Sequence, residues 1–388
     1  MDMKDRVNLL DLSQIPENKL TSAIAKFDWQ LIGQILVIKL AVLILGGASY
    51  QIFLNLPLNG IGDWLSIWNQ WDTPRYLNLA QYGYQATGED RVNIAFYPLF
   101  PWLIRLGTLF TQNYLLSALI VSGIAAIAAG ILLEKLVRLD YPKHLARYTV
   151  WFFLIFPTSY FLHIAYTESL FLALTFGCLL SARQDRWALA GILGALASMT
   201  RINGTILFPT LLVEVGHQYW ITKRFDKRWL WIGFVPLGFG IYLLCNFLVT
   251  GNAFTFLIHQ HEFWHKSGAS PWLGIQSTIV RLWEASPSYR QMVGVQELLF
   301  IGLGLAGTIW SWLRLRPTYS VWMTGNWLLF TSTSFILSVP RYTLVLFPLY
   351  ILFACQAQNR FWFTVINVWS LLFFSLFVSL FTQGKWAF

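Results

Sequence analysis

The sequence predicts an all-α polytopic membrane protein, organised as a single integral membrane domain over residues 1–388. Of these residues 56% are apolar, 12% are charged and 20 are tryptophan, too little polar surface to clothe a soluble globule of this length. Apolar runs of about 15–23 residues recur almost to the last residue, close to the ~20 that a ~30 Å hydrocarbon core requires. Short clusters of lysine and arginine separate the runs, as expected of loops facing the cytoplasm. Those clusters account for the net charge of +9 without a nucleic-acid partner.

Residues 1–30 carry mixed charge and lack an apolar segment with a small-residue cleavage site, so they read as a cytoplasmic tail and not as a secretory signal. Basic clusters lie at Lys135, Arg138, Lys143 and Arg147, at Arg183 and Arg186, at Lys223, Arg224, Lys227 and Arg228, and at Arg314 and Arg316. Their four loops belong on one side. Spans at about 31–54, 114–134, 146–164, 167–181, 187–200, 203–218, 229–250, 295–313, 319–338, 341–357 and 361–382 satisfy all four together. That makes about eleven transmembrane helices with the N-terminus inside. The stretch IAFYPLFPWLIRLGTLF (94–110) is then a horizontal or re-entrant amphipathic segment, to which Pro98 and Pro101 are suited. The run 187–218 divides into a tight hairpin at TRINGT (200–205), where Asn-Gly supplies the turn and one unbroken helix would bury Arg201 near mid-membrane. Lys39, near the inner end of the first span, is expected to snorkel. Cys178, Cys245 and Cys355 each lie inside an apolar run with no CxxC, which implies neither a disulfide framework nor a zinc site.

This topology puts a first loop (55–113), a second large loop (251–294) and three short turns on the opposite, outer side. Carboxylates there reduce to Asp63, Asp72, Glu89, Asp90, Glu168, Glu262, Glu284 and Glu297. In WDTPRYLNLAQYGYQ (71–85), Thr73 is a good N-cap and Pro74 a favoured first helical residue, so a helix is expected through Tyr82. Arg75, Leu79 and Tyr82 recur at helical spacing, which suits a short amphipathic helix along the membrane surface with Trp71 and Tyr76 at headgroup depth. On the residues alone, Asp72 either complements the helix dipole or serves chemistry, and the aromatic rings either form an interface belt or contact substrate.

The same block, followed by AFYPLFPWLIRL, then FPTSYFLHIAYTESLFLAL (156–174), SMTRINGTIL (198–207) and SVPRYTLVLFPLYILFA (338–354), resembles the PIG-V type of mannosyltransferase. The five blocks stand in the family's order and span most of the chain; Arg75 departs from the pattern, which usually has histidine there. The resemblance implies a GT-C type of fold with amphipathic helices in the first outer loop. It also implies an acidic catalytic residue in that loop and a sugar, mannose in this family, taken from a polyprenyl-phosphate carrier on the periplasmic or luminal side. Asp72 is the first candidate for the base, with Asp63 and Glu168 as possible support; Glu168, at a helix start, serves the dipole equally well. Arginines suit the phosphate because their forked guanidinium stays charged, and Arg341, Arg201 and Arg75 are the outer-face candidates. Arg341 opens a span after Pro340, where snorkelling or a structural ion pair is the plainer account. Trp71, Tyr76, Tyr97, Tyr166, Asn203, His261 and Tyr342 are the candidates for substrate contact.

No DxD occurs and no Gly-rich phosphate loop lies outside the apolar runs, so a nucleotide donor with a metal clamp is not expected; no metal and no cofactor is implied beyond the lipid-linked donor itself. IHQHEFWHK (258–266) spells HExxH at 261–265, yet acceptor contact or a wet interfacial helix is expected of it in preference to a metal site. The expected partners are the polyprenyl-phosphate sugar, a lipid or glycan acceptor and membrane lipids. The expected location is the plasma (inner) membrane of a bacterium with the site facing the periplasm, or the endoplasmic reticulum membrane of a eukaryote. The rival class is a transporter or lipid flippase, which would gather ionisable groups near the midplane and often show internal repeats. Here they gather on one face and no repeat is evident.

Overall fold

A computed structural model of the chain describes residues 28–284, 286 and 290–388; the expected cytoplasmic tail lies outside the described residues apart from 28–30. The architecture is helical, with a single isolated bridge (Gly268 with Thr333) among the described residues. Helix α1 (Trp29–Leu54) starts where the Asp28 carboxylate accepts from the Leu31 N–H at 3.2 Å, and its 26 residues reach about 39 Å at ~1.5 Å each. Segment 55–113 carries α2 (Ile61–Ser66), α3 (Thr73–Tyr82), a 3-10 helix (Glu89–Ala95) and α4 (Leu99–Thr111). The last two meet at 112°, so this stretch is bent and not one straight span. Helix α4 buries Leu99, Phe100 and Ile104 and exposes Leu106, Leu109 and Phe110, the amphipathic face expected of it.

The bundle continues with α5 (Tyr114–Val137), α6 (Lys143–Ile155), α7 (Glu168–Arg183), α8 (Trp187–Ser198), α9 (Leu207–Thr222) and α10 (Val235–Thr250). Next come α11 (Thr255–Trp264), α12 (Pro271–Glu284), α13 (Val295–Arg314), α14 (Pro317–Thr331), α15 (Val339–Thr343), α16 (Pro348–Gln356) and α17 (Arg360–Thr382). Among the described residues four helical stretches are long and apolar enough to cross a membrane: Trp29–Leu54, Tyr114–Val137, Lys227–Thr250 and Arg360–Thr382. Buried small residues of α5, among them Ser122, Ala126 and Ala129, let α1, α6 and α7 approach its backbone. The chain breaks after α8 as expected, but α8 and α9 diverge where a tight hairpin was foreseen: α8 packs on α7 and α10, and α9 on α14. Gly238 makes the α8–α10 crossing possible, because a Cβ there would collide with the Ala195 carbonyl oxygen.

Three expected spans are not continuous. The run 146–164 leaves the helix at Phe156, ahead of Pro157; 319–338 ends its helix at Thr331; and 341–357 is interrupted between α15 and α16, ahead of Pro348. Non-helical backbone at membrane depth is tolerated only where protein groups satisfy it. Thr158 Oγ1 donates to the Pro340 carbonyl at 2.9 Å, Trp322 Nε1 to Val345 at 2.9 Å and Tyr350 Oη to Leu344 at 3.0 Å. Lys39 does the same instead of snorkelling: its Nζ donates to the carbonyls of His163 at 3.1 Å and Leu119 at 3.4 Å.

The basic loops share one end of the bundle. Arg183 forks onto Asp140 at 2.7 and 2.8 Å, Arg316 holds Glu214 at 2.8 and 3.1 Å, and Arg228 reaches the Asp185 carbonyl at 3.4 Å. Helix α7 runs from Arg183 at this end to Glu168 at the other, about 24 Å for 16 residues.

Candidate active site

At the far end of α7, four segments remote in sequence meet: the start of α3, the stretch leading into α7, the turn after α8, and α15. Asp72, not Thr73, holds the N-cap position of α3, and its side chain makes no capping bond. The second helical residue is Pro74, which lacks the N–H that an N-cap carboxylate would take. Asp72 Oδ2 accepts instead from Arg341 Nη1 at 2.6 Å across 269 residues of sequence, and the carboxylate remains 30% exposed.

The other side of Arg341 is buried. Its Nε donates to Glu168 Oε1 at 2.5 Å, and Arg201 Nη1 donates to the same oxygen at 2.5 Å and to Thr167 Oγ1 at 2.9 Å. Glu168 is fully buried and its Oε2 has no hydrogen-bond partner. A carboxylate so placed needs counter-ions, and the two guanidinium groups supply them. Glu168 therefore does more than complement the dipole of α7. The Arg341 guanidinium also lies 4.5 Å from the centroid of Tyr166 and 5.0 Å from that of Phe161. It is an inward-facing centre of four contacts, not a snorkelling side chain.

Aromatic groups fix the loop that presents Asp72. Tyr166 Oη accepts from the Asp72 N–H at 3.1 Å and donates to the Gln70 carbonyl at 3.3 Å. Between those anchors Trp71 takes a left-handed backbone (φ 54°), and its indole donates to the Lys385 carbonyl at 3.3 Å and meets Trp386 edge-on at 5.0 Å. Tyr76 is buried against Phe96, Phe100 and Tyr166; that burial, and then the charge of Asp72, push its hydroxyl well above the usual tyrosine range. Tyr342 carries Arg201 at 5.8 Å and Lys266 at 5.4 Å from its ring centroid.

Five further candidates stand outside this network. Arg75 donates to Asn93 Oδ1 at 3.3 Å within a separate cluster that includes Asn78 and Asp90. Asp63 is exposed on α2 and accepts from the Asn59 N–H at 2.9 Å. Asn203 is buried against Asn326 at 2.8 Å, Tyr97 stacks on Tyr242 at 4.1 Å, and His261 is exposed on α11. Two residues that sequence reasoning left without a role border the site. Glu297, buried, accepts from the backbone N–H groups of Ser338 at 2.6 Å and Val339 at 2.7 Å, directly ahead of Pro340 and Arg341. Lys266, from the stretch after α11, reaches Tyr342 Oη at 3.5 Å. Glu297 was on the short list of outer carboxylates; nothing in the spacing of either residue signals its place.

Comparison with known proteins agrees with the first four of the blocks quoted above; the fifth, at 338–354, lies beyond the matched residues. The family Mannosyltransferase (PIG-V) matches residues 59–273, more than half of the chain. GPI alpha-1,6-mannosyltransferase 2 of Cricetulus griseus is 30% identical over 156 residues, which cover 37% of this chain and 31% of that protein; the Mus musculus protein gives the same figures. The aligned region thus spans about a third of the relatives' own length. Among solved structures, ArnT from Cupriavidus metallidurans bound to undecaprenyl phosphate superimposes with a TM-score of 0.49 at 14% identity, covering 84% of this chain and 60% of that one. The Archaeoglobus fulgidus oligosaccharyltransferase, tethered with an acceptor peptide, gives 0.46 at 12%, covering 90% and 55%. With the family matched from the first loop through α11, past Asp72, Glu168, Arg201 and Lys266, the chain belongs to the mannosyltransferase (PIG-V) family.

Proposed function

We propose that this protein is a glycosyltransferase that moves a hexose, mannose in the first instance, from a polyprenyl-phosphate carrier to a hydroxyl of a lipid-linked or glycan acceptor. The observation that carries the reading is the half-exposed Asp72 carboxylate poised on Arg341, at the end of the bundle remote from the basic loops. The acceptor oxygen attacks C1 of the sugar, the C1–O bond to phosphate breaks, the departing phosphate keeps the electron pair, and Asp72 takes the acceptor proton. A positioned base of this kind is worth roughly 10²–10⁴ in rate. Attack opposite the leaving group inverts C1, and no metal is needed when guanidinium groups meet the phosphate's developing charge. Arg341 and Arg201 are the groups for that task, and an arriving phosphate that competes for Arg341 would free Asp72 to act as base. The single membrane domain crosses the bilayer about eleven times, with 55–113 and 251–294 on the periplasmic or luminal face. Residues Trp71, Tyr76, Tyr166 and Tyr342 border the substrate.

The test is transfer by the purified chain with polyprenyl-phosphate mannose and a mannose-terminated lipid acceptor, without added metal, reading the anomeric configuration of the product by NMR. Transfer with inverted configuration supports the reading. Retained configuration, or transfer from a nucleotide sugar alone, removes it.

A further inference from the structure

Each arginine of the site already holds a carboxylate: Arg341 has Asp72 and Glu168, and Arg201 has Glu168. Lys266 does not. Its Nζ hydrogen-bonds Tyr342 Oη at 3.5 Å and lies 5.4 Å from the centroid of the ring that Arg201 also approaches. Glu262 pairs with Arg91 at 2.9 Å, and Glu297 accepts from the backbone of Ser338 and Val339, so its charge acts on Lys266 without a direct ion pair. A half-buried ammonium with three donors and no direct ion pair, sharing the Tyr342 ring with the Arg201 guanidinium, adds like-charge repulsion to the empty site. An anion seated between the three cations reverses that sign.

The lysine is also held in place. The Ser334 N–H donates to the Ser267 carbonyl at 2.9 Å, the Ala269 N–H to Ser332 at 3.3 Å, and the Lys266 N–H to Gln260 at 3.1 Å. The pairing ties the end of α11 to the strand-like stretch that leads into α15 and Arg341.

We propose that Lys266 binds the phosphate of the lipid-linked donor, and of the polyprenyl phosphate left after transfer, as the cation of the site that makes no direct ion pair with a carboxylate. The inference rests on the donor reading above and adds the residue that distinguishes the occupied site from the empty one. The experiment measures donor KM, kcat and the inhibition constant of free polyprenyl phosphate for wild type, Lys266→Met, Lys266→Gln and Lys266→Arg in neutral phosphatidylcholine vesicles. Loss of one charge-assisted contact should raise both the donor KM and the product inhibition constant about tenfold in the Met and Gln variants. Lys266→Arg should stay near wild type. An unchanged KM in a folded Met or Gln variant overturns the inference while wild-type turnover keeps the transfer reading. An effect that appears only in anionic vesicles assigns the lysine to lipid headgroups and also overturns it. A wild-type protein that accepts no polyprenyl-phosphate sugar removes both.

Discussion

Arg341 sets the electrostatics of the site because one guanidinium serves a buried carboxylate and a half-exposed one at once. Replacing it with alanine leaves Glu168 with Arg201 alone, and breaking a buried pair typically costs about 3–5 kcal/mol. Arg341→Ala should therefore lower the melting temperature as well as donor affinity. Arg341→Lys keeps the charge but loses the fork, so it should fold better and still bind donor more weakly than wild type. Thermal melting together with donor titration checks both; unchanged donor affinity in both variants would make Arg341 purely structural. Asp72, Glu168, Arg201 and Arg341 were candidates in the sequence because charge placement shortened the set of outer acids and arginines and the PIG-V-like blocks then singled these out; that they meet in one network is visible only in the structure. Lys266 and Glu297 were not, since their roles come from which backbone passes beside them. Arg75 sits on the right helix, yet its guanidinium joins Asn93, a choice that helical spacing does not express.

At the scale of elements, the helices were legible and their interruptions were not. Hydropathy reports apolar length, so 146–164 and 341–357 read as spans although Pro157 and Pro348 open them. The unwound stretches lead directly to Thr167 and follow Arg341, so the groups that satisfy their backbone also position the site. Lys39→Met should leave the His163 carbonyl unpaired at a cost of about 1–3 kcal/mol, seen as a lower melting temperature and weaker hydrogen-exchange protection over 159–167. A melting temperature equal to wild type would mean that Lys39 is dispensable to the break. Glu297 acts on α15 in the same way. Ser338 has a left-handed backbone (φ 71°), a conformation that costs a non-glycine residue about 1–3 kcal/mol and that the two N–H bonds to Glu297 offset. Glu297→Gln keeps the shape but turns one acceptor into a donor facing an N–H, so donor KM should rise and the melting temperature should fall with the lost bond. An unaltered KM would separate Glu297 from the placement of Arg341.

For the whole molecule, the account requires two chemically distinct ends: basic loops tied by Asp140 and Glu214, and the Asp72 network about one helix length away. On a cysteine-free background, Glu89→Cys and His261→Cys should react with an impermeant thiol reagent from outside, and Arg224→Cys only after permeabilisation. Reversed labelling would put the site on the cytoplasmic face and remove the periplasmic or luminal donor. The most direct measurement of the central claim is sugar transfer by Asp72→Asn reconstituted in vesicles, with donor binding followed in the same preparation. Asparagine can still accept from Arg341 but is not a base. The account predicts transfer at least about 100-fold below wild type with donor affinity retained. Transfer near the wild-type rate, or a loss explained wholly by failed donor binding, would contradict it.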